Sequence, residues 1–189
     1  IRLLAALFFN KIDGMIRSMP ELSQIDPPAI LNRVCFAKEL FANHQAPTSV
    51  HHHLSHGSGP LHEHDFLEIA LITTGTAQHA TIHGLQLIKA GDLIVIHPGQ
   101  WHGYSETRGL GVFNFCLSCD LFTHELMWVH QDPRLAVLFP ARMPRDDGER
   151  RAAVQGVRVL HFAAQPLARL NDAYVQLHAL CASGGAKDR

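Results

Sequence analysis

Residues 61–69 read Leu61-His62-Glu63-His64-Asp65-Phe66-Leu67-Glu68-Ile69. Successive side chains of a β-strand point to opposite faces of the sheet. His62, His64 and Glu68 are separated by even numbers of residues, so a regular strand places all three side chains on one face. We therefore expect two imidazoles and one carboxylate to project together from this part of the chain.

A second segment adds a further imidazole. It reads Gly91-Asp92-Leu93-Ile94-Val95-Ile96-His97-Pro98-Gly99-Gln100-Trp101-His102. The glycines and the proline predict a tight turn, with His102 just beyond it. If both segments face the interior of the same β-barrel, His102 joins the three side chains of the first segment there.

Three imidazole nitrogens and one carboxylate oxygen form a set that binds Fe, Mn, Ni, Cu or Zn, with positions left open for water or a ligand. The expected metal ligands are His62, His64, Glu68 and His102. The expected cofactor is a divalent transition metal, namely Zn, Ni, Mn or Fe. The alternative remains open that these histidines bind one another, the backbone and a polar ligand, while Glu68 fixes a tautomer.

Short β-rich runs surround these segments. The predicted strands are Thr48–Leu54, Phe66–Thr73, Thr76–His83, Leu85–Ile88, Leu93–His97 and Leu110–Ser118. Between them stand turn signals such as Gly75, His83-Gly84 and Gly109. Many short strands with frequent turn signals predict an all-β sandwich or barrel, here residues 48–119. The preceding residues 1–47 are interpreted as an N-terminal arm with one strand, Ala29–Phe36.

Helical patterns follow the barrel in residues 120–189. The predicted helices are a first one from Asp120, as N-cap, to His130, a second from Pro133 to Phe139, and two more over Glu149–Ala164 and Pro166–Ala182. In the last helix, the residues that form an apolar stripe are Leu167, Leu170, Tyr174, Leu177 and Cys181. Their spacing is that of a helix folded back on its own barrel or of a coiled-coil-like dimer contact. Both interpretations remain open.

Composition limits the range of functions. The 189 residues carry a formal net charge of -1 with 47% hydrophobic residues, which favours a globular core and argues against nucleic-acid binding by this chain itself. No apolar run approaches the roughly 20 residues that span a bilayer, so we expect no membrane partner. The 4 cysteines are sparse, which favours a reducing, cytoplasmic setting.

The two histidine-bearing segments resemble the paired motifs of the cupin superfamily. Locally, Leu61 to Ile69 and Ala90 to Tyr104 resemble the N-terminal effector-binding and dimerisation domain of AraC-type transcriptional regulators. The resemblance covers roughly Ser49 to Ala182. It implies a mainly β fold, a cupin (jelly-roll-like) β-barrel followed by C-terminal α-helices.

The same resemblance implies a function. Such domains bind a small effector, often a sugar, inside the barrel and form homodimers through their C-terminal helices. They regulate a separate DNA-binding region of two helix-turn-helix units, which is absent from this chain. We therefore expect these residues to be the sensor part of a longer protein or a stand-alone relative.

Further side chains are candidates for ligand binding. Trp101 and Tyr104 flank His102 at the expected barrel mouth, where aromatic faces suit sugar rings. Arg33 lies in the N-terminal arm, from which it can anchor a ligand. The expected ligand-binding residues are His62, His64, Glu68, His102, Trp101, Tyr104 and Arg33. His79 and His83, an even number of residues apart, suggest a second metal site.

Three functions follow from these features. The first is the effector-binding sensor of a transcriptional regulator, which is not an enzyme and has no catalytic residues. The second is a metal-dependent cupin enzyme of the dioxygenase or isomerase type. The third is a dimerisation module with an empty pocket.

Overall fold

The computed structural model describes residues 33–41, 48–136, 138–139 and 157–184. The strands are β1 (Arg33–Cys35), β2 (Thr48–His53), β3 (His62–His64), β4 (Leu67–Thr81), β5 (Gly84–Lys89), β6 (Asp92–Ile96), β7 (His102–Leu117) and β8 (Val157–His161). The α-helices are α1 (Ala37–Leu40), α2 (Cys119–Leu121), α3 (Pro133–Ala136) and α4 (Ala164–Gly184). A π-helix (Phe122–Leu126) and a 3-10 helix (Met127–Gln131) continue α2. The expected mainly β fold with C-terminal helices is confirmed.

Two long antiparallel strands, β4 and β7, organise the sheet. Their ladder runs from Leu67 opposite Leu117 to Thr81 opposite His102. At the Leu67 end of the ladder the strand order is β2-β7-β4-β6-β8, and at the Thr81 end it is β5-β4-β7-β3-β1. Because β4 and β7 belong to both groups, they connect the two sides of a cupin-like β fold.

The two strands predicted as Phe66–Thr73 and Thr76–His83 form the single strand β4. Gly75, interpreted from sequence as a turn, has φ 71° and lies where the β4–β7 register shifts between Ile72 and Gln78. A β-bulge adds a residue to one strand and exchanges the faces of the residues beyond it. Gly109 is the corresponding positive-φ residue within β7, so the turn predicted there is also part of a strand.

Apolar side chains form two cores on opposite faces of β4. Leu67, Ile69 and Leu71 belong to a core shared with the helical segments. The other core includes Ala70, Ile72, Ala77, Ile88, Ile94, Ile96, Leu110 and Val112. Among the members on β4, Ala70 and Ile72 lie at even positions before Gly75 and Ala77 lies at an odd position after it, as the bulge requires. We call this second core the barrel floor.

The helix α4 confirms the prediction for Pro166–Ala182 and packs on the barrel of its own chain. Leu170 and Tyr174 are buried in the core on the outer face of β4, with Leu167 packed against it. The Tyr174 hydroxyl donates a hydrogen bond to the carbonyl of Ile69 at 3.1 Å. The dimer contact expected for these three residues is therefore corrected to an intramolecular one. The side chains of Leu177 and Cys181 lie outside the described part.

The predicted helix from Asp120 is present but begins earlier. The N-cap is Ser118, whose side chain accepts a hydrogen bond from the amide of Leu121, and the helical turns continue through Gln131. The predicted helix from Pro133 ends at Ala136 rather than Phe139. Within the described ranges, the structure contains no helix that is both long and apolar enough to cross a membrane.

A helix was predicted for Glu149–Ala164. The prediction is wrong for residues 157–164, the described part of this range, because they contain strand β8. β8 pairs with β6 along its whole length, from Asp92 opposite His161 to Ile96 opposite Val157. The pairing is reinforced by a 2.7 Å contact between the Asp92 carboxylate and Nδ1 of His161. An open edge on β6 and the β-branched Val157 and Val159 favour a strand here over a helix. The sheet thus extends beyond residues 48–119.

Of the predicted strand Ala29–Phe36, the structure shows β1 at Arg33–Cys35. Residues 29–32 lie outside the described residues.

We predict that Gly75→Ala lowers the free energy of unfolding by about 3 kcal/mol or more, because a left-handed backbone and a steric clash both penalise the added methyl. A Cβ at Gly75 would lie 2.3 Å from the carbonyl oxygens of Arg108 and Gly109. The matched control is Gly109→Ala, where φ is also positive but no atom lies within 4 Å of the added Cβ. It should cost only about 1–2 kcal/mol. Equal losses in urea unfolding would contradict the close approach at Gly75.

Candidate functional site

Three of the predicted site residues meet at one end of the barrel interior. One ligand atom from each of His64, Glu68 and His102 lies within 4.8 Å of the others. Their exposed fractions are 1%, 5% and 1%. β3, β4 and β7 supply one residue each. The three therefore form a compact buried group that we call the HEH cluster.

The local chain geometry differs from the regular strand assumed from sequence. β3 ends at His64 and β4 begins at Leu67, with a bend at Asp65 and Phe66 between them. Across this bend, Nε2 of His64 lies 3.8 Å from a Glu68 carboxylate oxygen. The even spacing thus led to the correct neighbours, although two strands rather than one supply them.

Backbone carbonyls fix the tautomer of two histidines. Nδ1 of His64 lies 2.7 Å from the carbonyl oxygen of Phe66, and Nδ1 of His62 lies 3.1 Å from that of Pro60. Because a carbonyl can only accept, each Nδ1 carries the hydrogen and donates it. Because burial keeps the His64 ring uncharged at neutral pH, its Nε2 atom is an electron-pair donor, as in metal-bound histidines.

His62 lies beside the HEH cluster rather than within it. Its backbone pairs with His102 across β3 and β7, and the two rings are 4.3 Å apart between centroids. Its centroid is 6.4 Å from that of His64. His62 is only half-buried, so it lies on the solvent side of the cluster.

Burial keeps the HEH cluster close to electrical neutrality. It raises the pKa of the Glu68 carboxyl to about 7. It lowers the pKa of His64 to about 3, against the opposing hydrogen bond to Phe66, and it lowers the pKa of His102 well below its usual range. At neutral pH both imidazoles are therefore uncharged and Glu68 is close to half-ionised.

The two aromatic candidates lie deeper than expected. Trp101 and Tyr104 are 7% and 3% exposed, so the expectation of side chains at the barrel mouth is corrected. The Tyr104 ring lies 6.0 Å from the His102 ring between centroids. Within the described ranges, neither the Tyr104 hydroxyl nor the Trp101 indole nitrogen has a hydrogen-bond partner.

The arm residue Arg33 lies opposite His62 in the parallel pairing of β1 with β3. Its side chain lies outside the described part of the chain, so its ligand contact stays a prediction. The strand that carries it is held in place by the amide of Asp65, which donates to the carbonyl of Cys35 at 3.3 Å. Within the described part of the arm, β1 thus runs directly beside the histidines of β3.

The sequence did not predict the position of His79 beside His102. This residue is 0% exposed, and its Nε2 lies 3.4 Å from Nδ1 of His102. The expected pairing with His83 does not form, because His83 lies in the turn after β4. Simple alternation puts His79 on the face opposite to Glu68, and only the bulge at Gly75 reverses this. A glycine inside a strand pattern is the signal that could have revealed it.

The HEH cluster fits a transition metal in its donor atoms. It offers two imidazole nitrogens and a carboxylate oxygen within 4.8 Å of one another, a set typical of Zn, Fe, Mn or Ni sites. Nε2 of His64, Nε2 of His102 and Oε1 of Glu68 have no hydrogen-bond partner within the described part of the chain. These atoms could therefore serve an ion or a hydrogen-bonding ligand.

Residues 48–180 match the protein family described as AraC-like ligand binding domain. No curated protein matches the chain in sequence. Among solved structures, an apo variant of ToxT from Vibrio cholerae strain SCE256 has 10% sequence identity and a TM-score of 0.44, with coverage of 70% of this chain and 48% of that chain. The present chain thus spans about half the length of that protein. Wild-type ToxT with bound unsaturated fatty acid has 7% identity and a TM-score of 0.39, with coverage of 74% and 54%.

A cupin protein from Bacteroides fragilis is also similar, with 17% identity, a TM-score of 0.33 and coverage of 56% of this chain and 85% of that chain. At such identities the likeness concerns the fold alone.

We predict that Glu68→Gln changes the pH dependence of stability in the metal-free chain. Between pH 4.5 and 7 the folded chain keeps a proton on Glu68 that the unfolded chain has lost, because burial raises the pKa from 4.5 to about 7. The free energy of unfolding contributed by Glu68 therefore falls with rising pH, by about 3 kcal/mol over this window. Glutamine cannot ionise, so the free energy of unfolding of the variant lacks this decrease with rising pH.

The measurement is urea unfolding of both chains from pH 4.5 to 8 with a chelator present. The variant should gain about 3 kcal/mol relative to the original chain as the pH rises through this range. The histidines titrate in both chains and cancel in the difference. A difference that stays constant with pH would show that Glu68 ionises normally in the folded protein.

Proposed function

Because the chain belongs to the family of AraC-like ligand-binding domains, which its residues 48–180 match, we propose that it senses a small-molecule effector inside the barrel for a transcriptional regulator. One observation carries this proposal: buried polar atoms that lack hydrogen-bond partners within the described residues crowd one end of an apolar interior. They are Nε2 of His64 and His102, Oε1 of Glu68 and the hydroxyl of Tyr104. We propose that the buried indole nitrogen of Trp101, next to His102 in the sequence, adds a donor to this group. Each such atom costs about 1–3 kcal/mol when it is left unsatisfied. A ligand that satisfies several of them offsets this cost.

The chemistry of these atoms favours a sugar-like effector. Tyr104 both donates and accepts hydrogen bonds, Trp101 donates, and the His64 Nε2 atom accepts. Sugar hydroxyl groups both donate and accept, so a single polyol can match this mixed set. The barrel floor is apolar, and Tyr104 packs against it, which suits the C–H faces of a sugar ring.

We propose that the effector acts through the arm. β1 runs parallel to β3, and Arg33 and Cys35 lie opposite His62 and His64. A ligand bound at these histidines therefore lies next to the strand that holds the arm. Ligand binding would then shift the population toward an ordered arm and change how a dimer holds its DNA-binding partners.

We also propose homodimerisation through α4, but by a different face from the one expected. Leu170 and Tyr174 are buried against the barrel. The outer face of the helix carries Val175, which is 49% exposed. A second copy would meet this outer face. DNA contact belongs to a helix-turn-helix region outside this chain.

We predict that a monosaccharide from a metabolite panel binds the 189-residue chain and that Tyr104→Phe weakens this binding roughly tenfold, the value of one hydrogen bond. Because the Tyr104 hydroxyl is buried without a partner among the described residues, its removal should not lower the free energy of unfolding and should raise it by about 1–3 kcal/mol. Calorimetry measures binding and urea unfolding measures stability. The control is His124→Ala, at an exposed position far along the chain.

The panel includes fatty acids and other small metabolites besides sugars. Binding of a fatty acid with no response to any polyol would contradict the sugar-like effector. If no compound of the panel binds, effector sensing would be contradicted, and a dimerisation module with an empty pocket would be favoured.

A second candidate function, a metal-dependent cupin enzyme, is favoured by the HEH cluster itself. Here His64, Glu68 and His102 would hold the ion, with His62 beside them on the solvent side. A bound metal would supply Lewis-acid or oxygen-activating chemistry with open positions for a substrate. The carbonyls of Phe66 and Pro60 orient the rings of His64 and His62.

We predict that His62→Ala combined with His64→Ala abolishes metal binding and leaves the fold largely intact. Elemental analysis of the untagged chain for Zn, Ni, Mn and Fe, followed by titration with Co²⁺, measures the binding. The matched control is His53→Ala with His56→Ala, which also removes two imidazoles but near the surface. If the control variant loses the metal and the first variant keeps it, the ion is bound near His53 and His56 and not by the HEH cluster. Absence of metal in the original chain, together with no affinity for Co²⁺, would exclude the enzyme.

A further inference from the structure

Asn114 is a polar residue on β7 to which the proposed function assigns no role. Its neighbours along the chain, Phe113 and Phe115, belong to the core on the outer face of β4. Because successive side chains of a strand point to opposite faces, the Asn114 side chain points the other way, toward the barrel interior. Val112, two residues before it, belongs to the barrel floor, as this alternation requires.

The register between β7 and β4 places Asn114 within the barrel floor. Asn114 lies directly opposite Ala70, a buried member of the floor. The next inward-facing pair along the ladder is Cys116 opposite Glu68. Directly opposite residues of an antiparallel pair project from the same face, and diagonal neighbours such as Asn114 and Glu68 have Cα atoms about 7–8 Å apart. Asn114 therefore lies beside the HEH cluster on the same interior surface.

The amide of Asn114 is buried without compensation from the described chain. Its Oδ1 atom is buried and has no hydrogen-bond partner within the described ranges. The residues around it on β4 and β7, namely Ala70, Val112 and Cys116, are all buried. A polar group in such surroundings destabilises the fold unless something supplies its hydrogen bond. An apolar side chain at this position would simply extend the floor.

Polar side chains continue from Asn114 onto β2. His51 lies directly opposite Asn114, so both project from the same face of the sheet. Nε2 of His51 lies 2.7 Å from the hydroxyl oxygen of Ser49, and Ser49 lies opposite Cys116. Polar groups thus occur on the β2 side of the floor as well as at the HEH cluster. A ligand that carries polar groups on two sides matches this distribution.

We propose that Asn114 is a specificity-determining residue, whose side-chain amide binds a hydroxyl group of the effector at the barrel floor. This inference rests on the proposed function of the same site and narrows its ligand class. A hydroxyl group donates to an amide oxygen and accepts from an amide nitrogen, so it suits this side chain in either orientation of the amide. The effector is therefore a compact polyol of monosaccharide size. An acyl chain on the floor would leave the amide without a partner.

The first experiment needs no ligand. Asn114→Val removes the amide from a position with apolar neighbours, so the free energy of unfolding measured in urea should rise. Asn114→Thr has the same shape as Asn114→Val but keeps a polar group, so it should be the less stable of the two. If Asn114→Val is instead the less stable, the polar side chain has a partner within the chain itself, and the proposal is overturned.

Calorimetry of the 189-residue chain with the aldopentoses, the aldohexoses and decanoate, an acyl-chain probe, measures specificity. Asn114→Val should weaken binding of the best sugar roughly tenfold, the value of one hydrogen bond, and should not weaken binding of decanoate. Asn114→Thr should recover part of the sugar affinity. The matched control is Asn171→Val, the same change at a partly exposed position on α4, which should leave sugar binding unchanged.

The monodeoxy analogues of that sugar identify the hydroxyl group that contacts Asn114. One analogue should bind the original chain roughly tenfold more weakly than the sugar does. It should lose no further affinity in Asn114→Val, because both changes remove the same hydrogen bond. If Asn114→Val weakens every analogue as much as the parent sugar, no hydroxyl group contacts Asn114, and the proposal is overturned.

These results separate the inference from the function on which it rests. A sugar that binds Asn114→Val as tightly as the original chain would overturn the role of Asn114 and leave effector sensing intact. If no sugar binds the original chain, the sugar-like effector is contradicted, and the role of Asn114 is contradicted with it. If Asn114→Val does not fold, Asn114→Ala replaces it in the binding experiments, with the same expected loss.

Discussion

The close approach of β4 to β7 at Gly75 determines which side chains in the second half of β4 face the barrel interior. A side chain at this position would collide with the backbone carbonyls of Arg108 and Gly109, so only glycine permits the bulge. Before the bulge, even-numbered residues of β4 such as Glu68 face the interior. After it, odd-numbered residues such as His79 do. The bulge therefore places two side chains of one strand, eleven positions apart, around the same ring of His102.

The burial of this polar group carries a cost that the rest of the fold offsets. Glu68, His64, His79 and His102 lie in surroundings that hold the imidazoles uncharged and raise the pKa of the carboxyl to about 7. The apolar floor and the packing of α4 on the outer face of β4 supply favourable burial. A barrel optimised for stability alone would fill this end with apolar side chains. The polar group thus lowers the stability of the fold, a cost that the proposed ligand binding would explain.

Local patterns in the sequence predicted part of this arrangement and could not predict the rest. The even spacing of His62, His64 and Glu68 and the turn before His102 predicted the neighbours correctly, because each depends on a few adjacent residues. The inward position of His79 depends on contact between Gly75 and a strand more than thirty residues away, which no local pattern contains. β8 was mistaken for a helix because its strand conformation comes from the open edge of β6. The stripe on α4 was correctly placed on a helix, but spacing cannot tell whether Leu170 packs on its own barrel or on a second copy.

The two candidate functions share one chemical requirement, and this limits what the site can bind. The carbonyl of Phe66 and the burial of the ring fix Nε2 of His64 as an electron-pair donor. A hydroxyl hydrogen and a metal cation both satisfy such donors, whereas a carboxylate or a carbonyl group does not. Under either proposal, the histidine end of the barrel interior would select a group that brings a hydrogen or a positive charge. Specificity for one effector would then come from Tyr104 and from the apolar floor against which it packs, where hydrogen-bond geometry and contact area differ from one ligand to another.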